Sequence, residues 1–141
     1  MPTHPRVVSY YTRAGYKLEL IVMEVIEESL AILGLTDVRL TRVHSGAPYD
    51  IELIVGDRRA FIEVKGASDE DRLQWKVNQA FKREHPEPFC VIGVLGYPKD
   101  PALLLKKLVP TWIWIKPGRE GKLGRFSPNN LRRWLKIGSM I

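Results

Sequence analysis

The chain has 141 residues, of which 45% are hydrophobic and 27% charged, and its formal net charge is +6. This length fits one domain, and this composition excludes an intrinsically disordered or fibrous protein. No apolar run approaches the roughly 20 residues that a bilayer requires, so no membrane association through a spanning helix is expected. The N-terminus lacks the apolar stretch of a secretory signal and Cys90 is the single cysteine, so we expect a cytoplasmic protein without disulfides.

The first predicted element is a helix between Lys17 and Leu33, where apolar residues recur at helical spacing. Gly34 is expected to end this helix, because glycine tolerates the positive φ that often follows a last turn. The side chains expected to form its buried stripe are Leu18, Leu20, Ile21, Val22, Val25, Ile26 and Leu33. Alternating apolar and polar residues then predict a strand over residues 38–44, which the segment 45–48 interrupts.

Two strands are predicted on either side of Gly56 and Asp57, over residues 50–55 and 58–65, with Gly66 closing the hairpin. A helix over about 69–84 follows, and it begins at capping residues within 68–71. The nearly continuous apolar run 89–95 is typical of a central strand that is covered on both faces. A short helix over 101–108, a strand over 111–115 and a helix around 131–137, opened by Ser127 and Pro128, complete the prediction.

These elements predict an α/β fold in a single domain spanning 1–141. A helix is followed by a three-stranded β-meander, a second helix and further strands of a mixed sheet, with a basic helix at the C-terminus. A basic extension is expected over about residues 106–141.

The positive charge is concentrated at the C-terminal end. Residues 1–105 contain 13 basic and 15 acidic side chains, whereas residues 106–141 contain 9 basic side chains and Glu120 as the only acid. Such a block favours a polyanionic partner, with nucleic acid preferred over a membrane surface, although a solubilising surface gives the same pattern. The candidate phosphate-binding residues are Arg119, Lys122, Arg125, Arg132, Arg133 and Lys136.

Three ionisable side chains are predicted to share one face of the hairpin. If Gly56 and Asp57 form a two-residue turn, Asp50 lies directly opposite Glu63, and the period of two places Lys65 on the same face. Two carboxylates within about 5 Å repel each other, and a divalent cation between them relieves that repulsion. Oxygen ligands favour Mg²⁺ or Mn²⁺.

Other interpretations of these residues stay open. If the turn is instead one residue later, Glu52 rather than Asp50 faces Glu63. Glu63 and Lys65 also fit an ordinary surface ion pair, which contributes about 0–1 kcal/mol. His44 is a candidate ligand or phosphate contact, but no second histidine lies at ligand spacing.

The arrangement of Asp50 followed by Glu63-Val64-Lys65 resembles the PD-(D/E)xK nucleases of the restriction-endonuclease-like fold, and the order of elements over about 15–95 is similar. Within that superfamily, Gly15-Tyr16-Lys17-Leu18-Glu19 resembles the start of the first helix in archaeal Holliday-junction resolvases. The resemblance implies that Asp50, Glu63 and the Val64 carbonyl hold Mg²⁺ or Mn²⁺, while Lys65 orients water or offsets charge on phosphorus. It also implies that Glu19 binds the metal directly or through water, and it makes Gln74 a further candidate.

This resemblance implies a metal-dependent endonuclease that hydrolyses DNA phosphodiester bonds, with a preference for branched or junction DNA. A chain this small is expected to act as a homodimer, since a two-fold pair presents two sites to a branched substrate. Two alternatives remain. One is a non-catalytic nucleic-acid-binding protein that retains the fold, and the other is an assembly component whose predicted strand over 111–115, with Trp112 and Trp114, forms a subunit interface.

Overall fold

The computed structural model describes residues 5–43, 47–96 and 112–141, with side chains described from Leu18 onward. Three parts of the prediction therefore lie outside what the structure describes. They are the helix over 101–108, His44 and the side chains of residues 15–17. Within the described part, three helices and six strands form an α/β structure with one mixed sheet. No helix among these residues is both long enough and apolar enough to cross a membrane.

The helices are α1 (Pro5–Ile32), α2 (Glu70–Lys82) and α3 (Pro128–Ile137). The strands are β1 (Val38–Arg42), β2 (Ile51–Val55), β3 (Arg58–Ala67), β4 (Phe89–Leu95), β5 (Ile113–Lys116) and β6 (Gly124–Arg125). They lie in the sheet in chain order, and every neighbouring pair is antiparallel except β3 and β4. The predicted three-stranded meander is thus present, followed by a parallel strand that α2 connects.

Two hydrophobic clusters pack on opposite faces of this sheet. The larger one lies between the sheet and helices α1 and α3, and it includes Val22, Ile62 and Trp134. The smaller one lies between the sheet and α2, with Leu73 and Val77 at its centre. Because β4 has apolar residues facing both clusters, it is buried along almost its whole length, as the uninterrupted apolar run predicted.

Local sequence signals account for where α2 and α3 begin. The carboxylate of Asp69 accepts a hydrogen bond from the Arg72 backbone N–H at 2.8 Å, and the Ser127 hydroxyl accepts one from the Asn130 N–H at 3.1 Å. Both are N-caps that satisfy a helix donor left without an intrahelical partner. Pro128 in the first turn of α3 has the φ that a helix requires.

Helix α2 packs against β4 at Gly93. A Cβ atom built on Gly93 would lie 2.7 Å from Leu73 Cδ1, so only glycine leaves room for this leucine without displacing it. The close approach holds α2 against the sheet beside the outward-facing residues of β3. It therefore places the surface of α2 next to the candidate site described below.

Several predicted boundaries differ from the structure. Helix α1 begins at Pro5 instead of Lys17, and its Leu20, predicted to be buried, is 39% exposed because it lies outside the stripe that faces the sheet. Strand β3 continues past Gly66, because this segment pairs with β4 up to Leu95. The short strand β6 was not predicted from its two residues, which pair with β5.

Candidate functional site

The β2–β3 hairpin has the register predicted from its turn. Gly56 has a φ of +64°, which a glycine adopts without strain, and Val55 pairs with Arg58 across the two-residue turn. The ladder ends at Ile51, which pairs with Ile62. The predicted register is therefore confirmed over this ladder. Asp50 lies one residue beyond it and donates its N–H to the carbonyl of Ile62, so the predicted direct pairing of Asp50 with Glu63 is not part of the ladder, although the charges of the two side chains interact.

The alternative register is wrong. Glu52 pairs with Phe61 and forms an ion pair with Arg59 at 3.2 Å, rather than facing Glu63. The cause lies in the turn, because a turn one residue later would place the positive φ on Asp57 instead of Gly56.

Asp50 is fixed at the end of the hairpin by two hydrogen bonds. Its backbone N–H donates to the Ile62 carbonyl at 2.9 Å, and its Oδ2 accepts from the Val64 N–H at 2.7 Å. Strand β2 begins at Ile51, so the Asp50 side chain takes the place of a backbone acceptor for Val64. The N–H and carbonyl of one strand residue leave the same edge, which directs the Val64 carbonyl toward Asp50 as well.

Glu63 is a buried carboxylate, with the residue 7% exposed. Its Oε1 lies 3.3 Å from Lys65 Nζ and 3.8 Å from Arg83 Nη2. Burial and then the nearby charge of Asp50 raise the pKa of Glu63 to about 7, while Lys65 and Arg83 act in the opposite direction. Because burial and Asp50 outweigh the two cations, the Asp50–Glu63 pair is electrostatically unfavourable when both are ionised.

Glu19 approaches the same group from α1. Its Oε2 accepts a hydrogen bond from Nε of Arg42 at the end of β1, which forms an ion pair with it. Burial raises the pKa of Glu19, and the charge of Asp50 raises it further, whereas Arg42 lowers it. Asp50 therefore interacts with both Glu19 and Glu63. The other acids of the described part of α1, namely Glu24, Glu27 and Glu28, are exposed.

The structure adds cations that the sequence did not indicate as part of this site. Arg83 reaches Glu63 from the segment after α2, and Lys76 donates from α2 to the Gly66 carbonyl at 2.7 Å. Burial, followed by the charges of Arg72 and Lys65, lowers the pKa of Lys76. Lys76 and Arg83 are seven residues apart, so helical spacing places them on the same side of α2 and the residue after it. Only the packing of α2 on the sheet shows that this side contacts β3.

The further candidate Gln74 lies away from this group of residues. Gln74 lines a small cavity with Trp114 and Leu123, whereas Gln79 borders a groove next to Lys65. The structure thus favours Gln79 over Gln74 as a neighbour of the site. Cys90 is fully buried in β4, and burial raises the pKa of its thiol well above the usual value, so it acts as a core residue.

The candidate phosphate-binding residues occupy the far edge of the sheet and α3. Arg119, Lys122 and Arg133 line a common cavity of about 750 Å³, in which Glu87 and Glu120 also take part. Arg119 additionally donates to the Phe81 carbonyl at 3.1 Å, which ties the β5–β6 loop to the last turn of α2. The remaining three, Arg125, Arg132 and Lys136, are exposed.

The donor set at Asp50 fits a cation that takes few protein ligands. Among the residues whose side chains are described, no three His, Cys, Asp or Glu side chains come together in a way that could hold a metal ion. Asp50 and Glu63 offer two carboxylates whose mutual repulsion a cation would relieve. Mg²⁺ commonly binds through one or two carboxylates and keeps several water ligands, so the pair suits it better than a metal needing a full protein cage.

The protein is an α/β protein in which the antiparallel meander β1–β3 is followed by the parallel strand β4. Its candidate site combines the carboxylates of Asp50 and Glu63 with Lys65 at the end of this meander. The family model described as "Protein NO VEIN, C-terminal" matches residues 18–106, which is more than half of the chain. The chain belongs to this family. No curated protein and no solved structure matches it. The matched region includes Glu19, Asp50, Glu63 and Lys65, whereas β5, β6 and α3 lie beyond it.

Proposed function

We propose that this protein is a metal-dependent endonuclease of the PD-(D/E)xK type that hydrolyses DNA phosphodiester bonds. The observation that supports it most directly is the end of the hairpin, where Asp50 accepts a hydrogen bond from the Val64 N–H and its charge acts on Glu63, which is paired with Lys65. A buried carboxylate next to a half-buried one that repels it is unfavourable for folding alone, so the presence of this pair beside a lysine favours a role in binding and catalysis.

The order of elements supports the same proposal at the level of fold. A helix, an antiparallel three-stranded meander, a helix and a parallel strand follow one another in α1, β1–β3, α2 and β4. This is the order of a restriction-endonuclease-like core. Since one fold serves many functions, the argument for catalysis depends on the site residues rather than on this likeness.

The proposed roles are those that the resemblance to PD-(D/E)xK nucleases implies for these residues. Asp50, Glu63 and the Val64 carbonyl would hold Mg²⁺ or Mn²⁺, which would supply polarisation of the phosphodiester and a more acidic water. Lys65 lies close enough to Glu63 to orient the attacking water or to donate to a phosphate oxygen as charge builds on phosphorus. Water adds to phosphorus and releases a proton to solvent, the bond from phosphorus to one sugar oxygen breaks, and that oxygen leaves after taking up a proton from solvent.

The experiment that tests this function is incubation of the purified chain with linear, nicked, flapped and four-way DNA, with Mg²⁺ and with chelator. Cleavage that requires Mg²⁺ supports the proposal, and selective cleavage of the flapped or four-way DNA supports the proposed preference for branched substrates. Binding of these DNAs with no cleavage in Mg²⁺ or Mn²⁺ favours the non-catalytic alternative instead. A homodimer, which we propose as the active form, is checked by mass photometry with and without four-way DNA.

Glu19→Gln is expected to lower the cleavage rate at least tenfold, or about 1.4 kcal/mol of activation free energy. The physical reason is that Glu19 forms an ion pair with Arg42 and its charge acts on Asp50. Removing that charge therefore changes the electrostatic potential at the proposed metal site. Glu28→Gln on the exposed side of the same helix is the matched control and is expected to stay within twofold. Single-turnover rates measured across a Mg²⁺ titration decide, and equal rates for wild type and Glu19→Gln remove Glu19 from the site.

The triple substitution of Arg132, Arg133 and Lys136 by Ala is expected to flatten the salt dependence of DNA binding. Each phosphate contact contributes about 0.9 to the slope of log K against log salt on duplex DNA, so three lost contacts reduce it by about 2 to 3. All three side chains are exposed on α3, so the fold should be unaffected. Binding is measured in chelator between 50 and 200 mM salt, typical of such titrations. Arg39→Ala on β1 is the control, and an unchanged slope in the triple variant assigns these charges to solubility.

A further inference from the structure

One large aromatic side chain on α2 is left in solvent. Trp75 is 63% exposed, whereas Trp112 and Trp114 are half-buried and Trp134 is buried. Burying an indole is strongly favourable, so an exposed tryptophan in a structured helix is a feature that needs a reason. Trp75 lies one residue before Lys76, which contacts the end of β3.

Trp75 borders a groove that runs from the candidate site across α2. The groove has a volume of about 320 Å³, and it is lined by Trp75 together with Lys65, Lys76, Lys82 and Arg83. Two of these cations, Lys65 and Arg83, are the partners of the Glu63 carboxylate. No acidic side chain is among the lining residues. The groove is therefore positively charged and continuous with the proposed catalytic residues.

A cationic groove with one exposed aromatic ring has the chemistry of a single-stranded nucleic acid site. Cations contact the phosphates along the backbone, and an aromatic ring stacks on a base that is not paired to another strand. A paired base in a duplex has both faces occupied by its neighbours, so it offers no face to Trp75. The cations that line the groove disfavour a positively charged ligand, and among the described lining residues there is no carboxylate that could hold a metal ion. The exposed face of the Trp75 ring is complementary to an unpaired base.

We propose that Trp75 is a stacking platform for an unpaired nucleobase, which makes DNA with unpaired nucleotides next to the cut the substrate class. This inference rests on the proposed function, because it assigns the substrate of the same site. In the bound state, Lys76, Lys82 and Arg83 contact the phosphates of the unpaired segment. Trp75 stacks on one base of that segment and thereby positions the strand relative to Lys65.

The test measures binding in chelator, where no cleavage occurs, to three 12-mers: oligo-dT, an abasic deoxyribose-phosphate strand, and a duplex. Trp75→Ala is expected to weaken oligo-dT binding about tenfold and to leave the abasic strand and the duplex within twofold. Trp75→Phe keeps a stacking face and is expected to retain most of the affinity. Ile32→Ala, another exposed apolar residue at the end of α1, is the control and should change nothing.

A second readout follows the indole itself. Oligo-dT is expected to quench the tryptophan fluorescence of the wild-type chain, and Trp75→Phe is expected to lose that quenching while keeping its thermal unfolding midpoint. An equal loss of affinity for all three ligands, or no loss for oligo-dT, overturns the proposal. Stacking without Mg²⁺-dependent cleavage on the DNA panel overturns the nuclease function and leaves Trp75 as a binding residue, so the two failures are distinguishable.

Discussion

Cleavage of DNA by Asp50→Asn or by Glu63→Gln is expected to fall at least a thousandfold, which is about 4 kcal/mol of activation free energy. Each substitution removes one of the two charges proposed to hold the cation while keeping the size of the side chain. Asn at position 50 still offers an oxygen to the Val64 N–H, so the hairpin is expected to keep its register. DNA affinity measured in chelator should remain within about threefold, because the groove cations and the C-terminal segment are unchanged.

The matched control for these variants is Glu52→Gln, which changes an acid of the same strand pair that faces Arg59 rather than Glu63. It is expected to cleave within about threefold of wild type. Rates are compared at saturating DNA in Mg²⁺, after circular dichroism has shown that each variant is folded. Cleavage by the Asp50→Asn/Glu63→Gln double variant at the wild-type rate would rule this site out.

Glu63→Gln is also expected to stabilise the metal-free protein at alkaline pH. The pKa of Glu63 in the folded state is about 7, above the ordinary value of 4.5. Between these pH values the folded state holds a proton that the unfolded state has lost, so the free energy of unfolding decreases as pH rises. The penalty is absent below about pH 4.5 and complete above about pH 7, where removing it should raise stability by on the order of 1 to 3 kcal/mol.

Urea unfolding in chelator at pH 5 and pH 8 checks this sign. The stability gained by Glu63→Gln should be small at pH 5 and large at pH 8, and Glu24→Gln on the exposed side of α1 should give the same result at both. Added Mg²⁺ is expected to stabilise the wild type at pH 8 more than Glu63→Gln, because the cation binds the folded state through Glu63. A Glu63→Gln variant that is less stable than wild type at pH 8 would contradict a net repulsion at this carboxylate.

The parts of this site that could be predicted from the sequence are those that local geometry determines. The turn at Gly56 fixes the pairing of two adjacent strands, the period of two orients Glu63 and Lys65 to one face of β3, and Asp50 directly precedes the first paired residue of β2. Each step spans only a few residues, so no knowledge of the rest of the chain is needed.

Contacts between distant segments could not be predicted in this way. The Arg42–Glu19 and Arg83–Glu63 ion pairs depend on how α1 and α2 pack on opposite faces of the sheet. The extension of β3 beyond Gly66 depends on its pairing with β4, since a glycine in isolation indicates a turn rather than a strand. In each case, the deciding partner lies more than a dozen residues away along the chain.

The hydrogen bond from the Val64 N–H to Asp50 has a consequence for ligand affinity. A flexible acid on a surface loop loses conformational entropy when it is immobilised by a ligand, at a cost of about 0.5–1.5 kcal/mol for a side chain with several rotamers. In Asp50 the sheet has already selected the rotamer, because one carboxylate oxygen serves as an acceptor for the strand beside it. The other oxygen is thus preorganised by folding, and a ligand that binds there retains more of its interaction free energy as affinity.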